Sequence, residues 1–430
     1  MPQPPGNAHA APAPMSPDTV SPPPVGKPCP AEMPRTAAVL LAAGLSSRLG
    51  EFKPLVRLGD ETLLERAAQL LRQADVADIL VVAGHRAPET LAEAERLGIR
   101  AVTNPEYATG MFSSVLAGLR AVAEFKARPD ALFILPVDIP LVRPHTLLLL
   151  LERFAACREA LPAHPPAVLH PVFRGQRGHP PLLHARHLPE LLAWGGENGL
   201  RGGLDALEQR HGAVEVPVAD ENILFDVDDQ PALAEARRRL ARRGIPTPQE
   251  ALALLALHHA GERGLAHGRG VAEAALALAR ALEVKGTRAD CAPNLNPASG
   301  LDYDLIEAAA LLHDIAKGQP RHEAAGAALL DALGFHAAAR IVADHRDIAP
   351  ETAPRLTERE LVYFADKLVR GSTRVPVRAR FQQKLELFAH DPEATAAIRR
   401  RLVNALAMQQ RIEAAAGAPL HRLVPGTQDI

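Results

Sequence analysis

From residue 36 the chain alternates short apolar runs with amphipathic stretches. Residues 36–43 are an apolar run ending in small side chains, a Gly/Ser loop follows, and over 62–72 apolar positions recur three and four apart, which predicts strand, loop and helix. The same order returns, with strands predicted at 79–83, 100–103 and 131–136 and helices at 87–97 and 111–125. Such alternation predicts an α/β unit with a mostly parallel sheet and helices on both faces. After Asp226 the strand pattern stops. Residues 231–243 read as a closing helix with a basic end. Beyond it apolar residues keep helical spacing over 250–259, 267–282, 305–316, 324–333, 337–344, 358–369 and 392–415, so the second half is expected to be all α. Residues 284–300 read as its one long loop.

Composition sharpens the division. Residues 1–34 hold 12 of the 39 prolines and three charged residues, too little apolar surface to offset ordering entropy. The expected organisation is a disordered Pro-rich tail at 1–34, an α/β domain at 35–243, a linker at 244–249, a helical domain at 250–415 and a C-terminal tail at 416–430. Lysine and arginine number 48 against 50 aspartate and glutamate, so no global basic field argues for nucleic acid or an anionic membrane as partner. No apolar run approaches the roughly 18 residues that span a bilayer, and the N-terminus lacks the basic-then-apolar order of a secretory signal. A soluble, cytoplasmic protein is expected. Cys29, Cys157 and Cys291 are too scattered for a disulfide framework or a thiolate zinc site.

The richest stretch is 41–55, with Leu41, Ala42, Ala43, Gly44, Leu45, Ser46, Ser47 and Arg48 leading to Lys53. Small residues at a strand end let backbone N–H groups approach phosphate oxygens, and Arg48 and Lys53 supply compensating charge. The Gly-Lys-Ser/Thr ending of a Walker loop is missing. The string resembles the signature of nucleotidyltransferases with a Rossmann-like fold, most closely the molybdenum cofactor cytidylyltransferases, over about residues 36–240. In that group the loop carries Ala-Ala-Gly where guanylyltransferase relatives carry Ala-Gly-Gly, so Ala42-Ala43-Gly44 implies CTP. The run 110–115, from Gly110 to Val115, resembles the loop around the base, with Ser114 as its polar contact. Gly178-His179-Pro180-Pro181 and the run 196–201 resemble the two acceptor-side loops, although the family more often has Asp at the position of Glu197.

Asp138 ends an apolar strand, where open α/β sheets bind ligands. Asp226 and Asp228 would point to one side of a short strand. Nucleotidyl transfer to a phosphate needs a divalent cation, and magnesium is held by one or two carboxylates with phosphates and water. Asp138, Asp226 and Asp228 are therefore candidate Mg2+ ligands, with Arg48, Lys53 and Asp138 the candidate catalytic set. The structural alternatives are a turn cap before Pro140 for Asp138, and a helix cap for Asp228 or Asp229.

In the helical half His267 shares a face with Val271, Ala274 and Leu278, His313 lies over Ala309 and Ile306, and Asp366 lies between Val362 and Val369. Polar groups turned into a helical core cost several kcal/mol unless satisfied, and a divalent metal satisfies them. The order His267, His313-Asp314, Asp366 resembles the HD superfamily of metal-dependent phosphohydrolases over about residues 250–415. His322 and His345 match its two-metal branch. The resemblance implies two divalent transition metals, iron or manganese ahead of zinc, and imidazole with carboxylate suits any of these better than magnesium alone. Lys317 is a candidate substrate-phosphate contact and is equally explained as a solvated helix-end lysine. The arginines 370, 374, 378 and 380 follow Asp366 closely and read as a solvated basic face, with phosphate binding the alternative. The expected protein is thus bifunctional, transferring CMP from CTP to molybdopterin or another phosphorylated small molecule and hydrolysing a phosphate compound in the HD half. A molybdoenzyme receiving the product is a compatible partner. The alternative makes the HD half a nucleotide-sensing or docking module with a structural metal.

Overall fold

The computed structural model describes residues 33–46, 48–283, 300–348 and 355–427. The predicted tail up to residue 32, Ser47 and nearly all of the predicted 284–300 loop lie outside the described residues.

Thr36–Ala42 is buried on both sides, which is why it reads as an unbroken apolar run. It pairs in parallel with Asp78–Ala83 on one edge and Ala131–Pro136 on the other. Across the sheet the order is Ala213–Pro217, Val168–Phe173, Leu182–His184, Ala131–Pro136, Thr36–Ala42, Asp78–Ala83 and Arg100–Thr103. Leu182–His184 runs antiparallel to both neighbours, so the sheet is mostly parallel and mixed. Side chains alternate between two cores. Leu40 and Phe133 face the helices Leu63–Gln73 and Pro144–Ala160, whereas Val39 and Ile134 face Met111–Ala123 and Leu188–Leu192.

The sequence pattern yields neither Pro144–Ala160 nor the strands after residue 136. The helix is so evenly apolar in its first turns that no period stands out, and Val168–Phe173 is interrupted by His170 and Pro171. In both cases tertiary burial overrides a weak local signal.

The second half is helical, with one core running from Ala251 to Val424 around Phe335, Tyr363 and Phe364. At Gly268 a Cβ would lie 2.7 Å from the carbonyl oxygen of Leu311, so only glycine lets Gly261–Glu283 pack this closely on Tyr303–Leu312. That contact sets the His267 and His313 rings 5.1 Å apart. The segment read as a C-terminal tail forms a short helix, Leu420–Leu423, and buries Leu420 and Val424 in this core.

The expected linker is an ordered joint. Thr247 caps Pro248–Leu257 in a reciprocal capping box with Glu250, and Gly244 accepts a hydrogen bond from Ala337 N at 3.0 Å. Arg143 of the first domain lies 3.9 Å over the Phe335 ring of the second, and Arg242 pairs with Asp302 at 2.7 Å. Among the described residues no helix is long and apolar enough to cross a membrane.

Candidate functional site

Two constellations gather the candidate residues. The first is a cleft of about 380 Å³ at the carboxyl ends of Thr36–Ala42 and Ala131–Pro136. The chain leaves the first strand through Ala43 and Gly44 and turns at Ser46, whose φ is 56°. Ser46 Oγ accepts the N–H of Lys53 at 3.0 Å, which folds the loop back under its own basic residue. Lys53 Nζ then lies 2.9 Å from Asp138 Oδ2 and 2.6 Å from Asp228 Oδ1, and Arg48 reaches Asp228 Oδ2 at 3.0 Å. Burial alone would lower the Lys53 pKa, yet the bonds to Asp228 and Asp138 outweigh it and hold the ammonium above its usual value. The bond from Lys53 in turn holds the Asp228 carboxyl below the ordinary range.

One wall of the cleft is formed by Ala43, Tyr107, Gly110 and Ser114. Asn104, nearly fully buried, donates through Nδ2 to Ser113 Oγ at 2.8 Å and Ser114 Oγ at 2.9 Å. Behind the wall a Cβ on Gly84 would meet Tyr107 Cβ at 2.6 Å and Ala43 Cβ at 2.7 Å, so the wall's position depends on a glycine there.

The second constellation lies among the helices. His267 Nδ1 is 3.0 Å from Gly371 O, His313 Nδ1 is 2.8 Å from Ala310 O and His345 Nδ1 is 2.7 Å from Val342 O. A carbonyl accepts only, so each ring carries its proton on Nδ1 and turns an Nε2 lone pair towards the carboxylates. His267 Nε2 is 3.3 Å from Asp366 Oδ1, His313 Nε2 is 3.6 Å from Asp314 Oδ2, and His322 and His345 Nε2 lie 3.4 and 3.7 Å from Asp314 Oδ1. His313 Nε2 is buried without a hydrogen-bond partner. Lone pairs and carboxylate oxygens facing each other at these distances repel unless a cation lies between them, so the donor set fits a metal. The groups form two triads, His267–His313–Asp314 and Asp314–His322–His345, with Asp314 in both.

Asp366 is held well below the carboxylate range against its burial, chiefly by Lys367 and Arg380.

Residues 38–214 match the MobA-like NTP transferase domain. Molybdenum cofactor cytidylyltransferase of Escherichia coli strain K12 is 27% identical over 202 residues, covering 47% of this chain and 95% of that protein. Nicotine blue oxidoreductase of Paenarthrobacter nicotinovorans is 31% identical over 199 residues, covering 46% of this chain and 94% of that protein. The chain belongs to the MobA-like NTP transferase family. Residues 264–371 match the HD domain. A bifunctional IPC transferase and DIPP synthase of Rubrobacter xylanophilus is 43% identical over 93 residues, 20% of this chain, and the match spans only 21% of that protein's length.

In the NTP transferase domain the structure brings Leu41, Ala42, Ala43, Gly44, Ser46, Arg48, Lys53, Gly110, Ser114, Asp138 and Asp228 to one cleft. Ser47 lies outside the described residues. Asp226 departs from expectation. Residues 225–228 form no strand, Asp226 is exposed and does not line the cleft, and the alternation that would pair it with Asp228 does not exist. Asp229 caps Gln230–Ala241 through a bond from Ala232 N. The His179 ring is lowered in pKa by burial, with the Asp138 and Asp226 carboxylates pulling the other way.

In the HD domain His267, His313, Asp314, His322, His345 and Asp366 all converge. Lys317 is exposed and lies 2.6 Å from Asp314 Oδ2. Arg380, read as part of a solvated face, is instead largely buried and binds Asp366 Oδ1 at 3.0 Å, with Lys367 on Oδ2 at 2.9 Å. Sequence reasoning misses Asn104, Tyr107, Gly84, Lys367 and the place of Arg380. None stands in a motif, and each acts through a contact that folding alone creates.

Proposed function

We propose that the NTP transferase domain moves CMP from CTP to the phosphate of molybdopterin and releases pyrophosphate, and that the HD domain hydrolyses a phosphate ester or anhydride. The observation that carries the first reading is the Lys53 ammonium held between Asp138 and Asp228 in the cleft under the 41–46 loop. An acceptor phosphate oxygen attacks the α-phosphorus, the bond to the β-phosphate oxygen breaks, and the negative charge that builds on pyrophosphate needs fixed cations nearby. Lys53 and Arg48 supply them, and the small residues 42–44 leave backbone N–H groups open to the phosphates. Ser114, held by Asn104, faces the base. His179, kept neutral by burial, lies on the side from which the acceptor would enter.

Two carboxylates converging on one cation fit magnesium, and Asp138 and Asp228 are the residues that would hold it. Bound there it would neutralise the triphosphate and polarise the α-phosphorus. Ala42-Ala43-Gly44 and the cytidylyltransferase relative support CTP. The relatives differ in their named activities, and Glu197 stands where the acceptor loop of the cytidylyltransferases more often has Asp.

In the HD domain His267, His313, Asp314, His322, His345 and Asp366 would hold two divalent ions, iron or manganese ahead of zinc. Such a pair supplies an activated water and stabilises a leaving oxygen. Arg380 and Lys367 keep Asp366 ionised and oriented, and Lys317 sits where it can exchange Asp314 for a substrate phosphate. A sensing or docking role for this half predicts metal binding without turnover.

The deciding experiment measures pyrophosphate release by the full chain from each NTP with molybdopterin present and absent. Release that requires both CTP and molybdopterin is expected. Release with CTP and a different phosphorylated acceptor alone would keep the transferase and replace the acceptor.

A further inference from the structure

Away from both sites the NTP transferase domain holds another histidine group. The turn Ala185–His187 runs into the helix Leu188–Leu192, which places His187 and Glu190 three residues apart, and His211 ends the helix Gly199–His211. His187 Nδ1 is 3.1 Å from Glu190 Oε1, and His211 Nε2 is 2.9 and 3.1 Å from Glu190 Oε1 and Oε2. The two imidazoles lie 4.1 Å apart with 31° between their planes. One donor atom from each of the three residues falls within 4.8 Å of the others. His187 is 5% exposed and its Nε2 is buried without a hydrogen-bond partner, while Glu190 and His211 keep about a third of their side chains open.

We infer that His187, Glu190 and His211 form a binding site for a divalent transition metal of the zinc type, separate from the two sites above. Two imidazoles and a carboxylate are an ordinary donor set for that ion, with water free to complete the shell from the open side. His187 Nδ1 and His211 Nε2 converge on the Glu190 carboxylate, where a single cation can replace two N–H bonds. Burial lowers the His187 pKa and so favours the neutral ring that ligation requires. The bonds from His211 and His187 keep the Glu190 carboxyl low, at about 2, and hence ionised. Arg210 lies 3.3 Å from Glu190 Oε2 on the exposed side and is the group a bound cation would displace.

The site joins the two helices that bracket residues 193–198. In that turn Trp194 Nε1 donates to Glu197 O at 3.1 Å, and Cβ positions on Gly196 and Gly199 lie 3.7 and 3.8 Å from Phe112, beside Met111 of the cleft. A metal at His187, Glu190 and His211 therefore clasps the loop expected to meet the acceptor. This role rests on the proposed reaction, whereas the site itself does not.

The test uses the metal-stripped full chain dialysed against low-micromolar zinc, with metal content measured for wild type, His211→Ala, Glu190→Gln and, as a control on the HD centre, Asp314→Ala. His211→Ala and Glu190→Gln should each bind about one zinc per chain fewer than wild type. Asp314→Ala should keep that zinc. In the Asp314→Ala background, where the HD positions are empty, cobalt should give a visible absorption band that either clasp variant removes. Glu190→Gln is nearly isosteric and remains informative should His211→Ala fail to fold. Wild-type zinc content and an unchanged cobalt band in Glu190→Gln would overturn the site and leave a hydrogen-bonded cluster only. Loss of zinc with unchanged acceptor KM would keep the site and remove the clasp role. Absence of any transfer activity in wild type would count against the proposed reaction and not against the metal site.

Discussion

Lys53 Nζ and Asp228 Oδ1, 175 residues apart in the chain, lie 2.6 Å from each other. Their contact closes the NTP transferase domain around its cleft, tying the loop after the first strand to the segment before the closing helix. The same ammonium touches Asp138, so one cation neutralises two carboxylates that would otherwise repel each other. In the proposed reaction a divalent ion held by Asp138 and Asp228 would give both carboxylates a new partner and leave Lys53 free to follow the phosphate charge.

Asp138→Ala should reduce nucleotidyl transfer by roughly 10²–10³-fold, the usual cost of removing one group that stabilises transition-state charge. Circular dichroism and HD-domain hydrolysis should be unchanged. Transfer at the wild-type rate would return Asp138 to the role of a turn residue.

CTP should be preferred over GTP, and Ala43→Gly should weaken that preference by altering how closely the backbone meets the base. The ratio of kcat/KM for the two nucleotides reads this directly. Equal turnover with GTP in wild type would remove the cytidylyl reading.

Gly84→Ala places a methyl group 2.6 Å from Tyr107 Cβ and 2.7 Å from Ala43 Cβ. Overpacking of this kind costs about 1–3 kcal/mol. A lower melting temperature and a raised KM for the nucleotide are expected, with kcat affected less. An unchanged KM would mean that the Ala43–Tyr107 wall does not meet the nucleotide.

The full chain should carry close to two transition metals in the HD domain, counted with the clasp vacant in a Glu190→Gln background. Asp314 stands in both triads, so Asp314→Ala should empty both positions and stop hydrolysis, whereas His322→Ala should remove one ion. Elemental analysis separates these outcomes. Identical metal content in the two variants would argue against two distinct positions.

Glu250 lies at the joint between the domains, 1% exposed, with Arg143 3.5 Å away. Burial raises its carboxyl from an ordinary 4.5 to about 7, and Arg143 offsets only part of that. Because the folded state holds this proton more tightly than the unfolded one, the contribution to stability is fully present below about 4.5 and is lost as pH rises through 7. Glu250→Gln should therefore reduce the decline in stability between pH 5 and 8 measured by urea unfolding. Parallel curves for wild type and variant would show that the joint does not titrate.

What the sequence determined by itself was whatever local chemistry concentrates. Strand Thr36–Ala42 is legible because burial on both faces demands an unbroken apolar run, and the 41–55 loop because phosphate approach demands small residues beside fixed cations. The residues that converge in the HD domain are legible because polar residues on apolar helical faces need a partner. Tertiary structure decided the rest. Asp228 and not Asp226 meets Lys53, because residues 225–228 form no strand and alternation does not apply. Arg380 binds Asp366 although its neighbours in sequence suggest a solvated face, since only the fold brings Val377–Leu387 against that carboxylate. The mixed sheet and the convergence of His187, Glu190 and His211 likewise arise from contacts between segments whose own sequences carry no period and no motif. A local pattern records the environment of one segment, and a site assembled from several segments exists only once they pack.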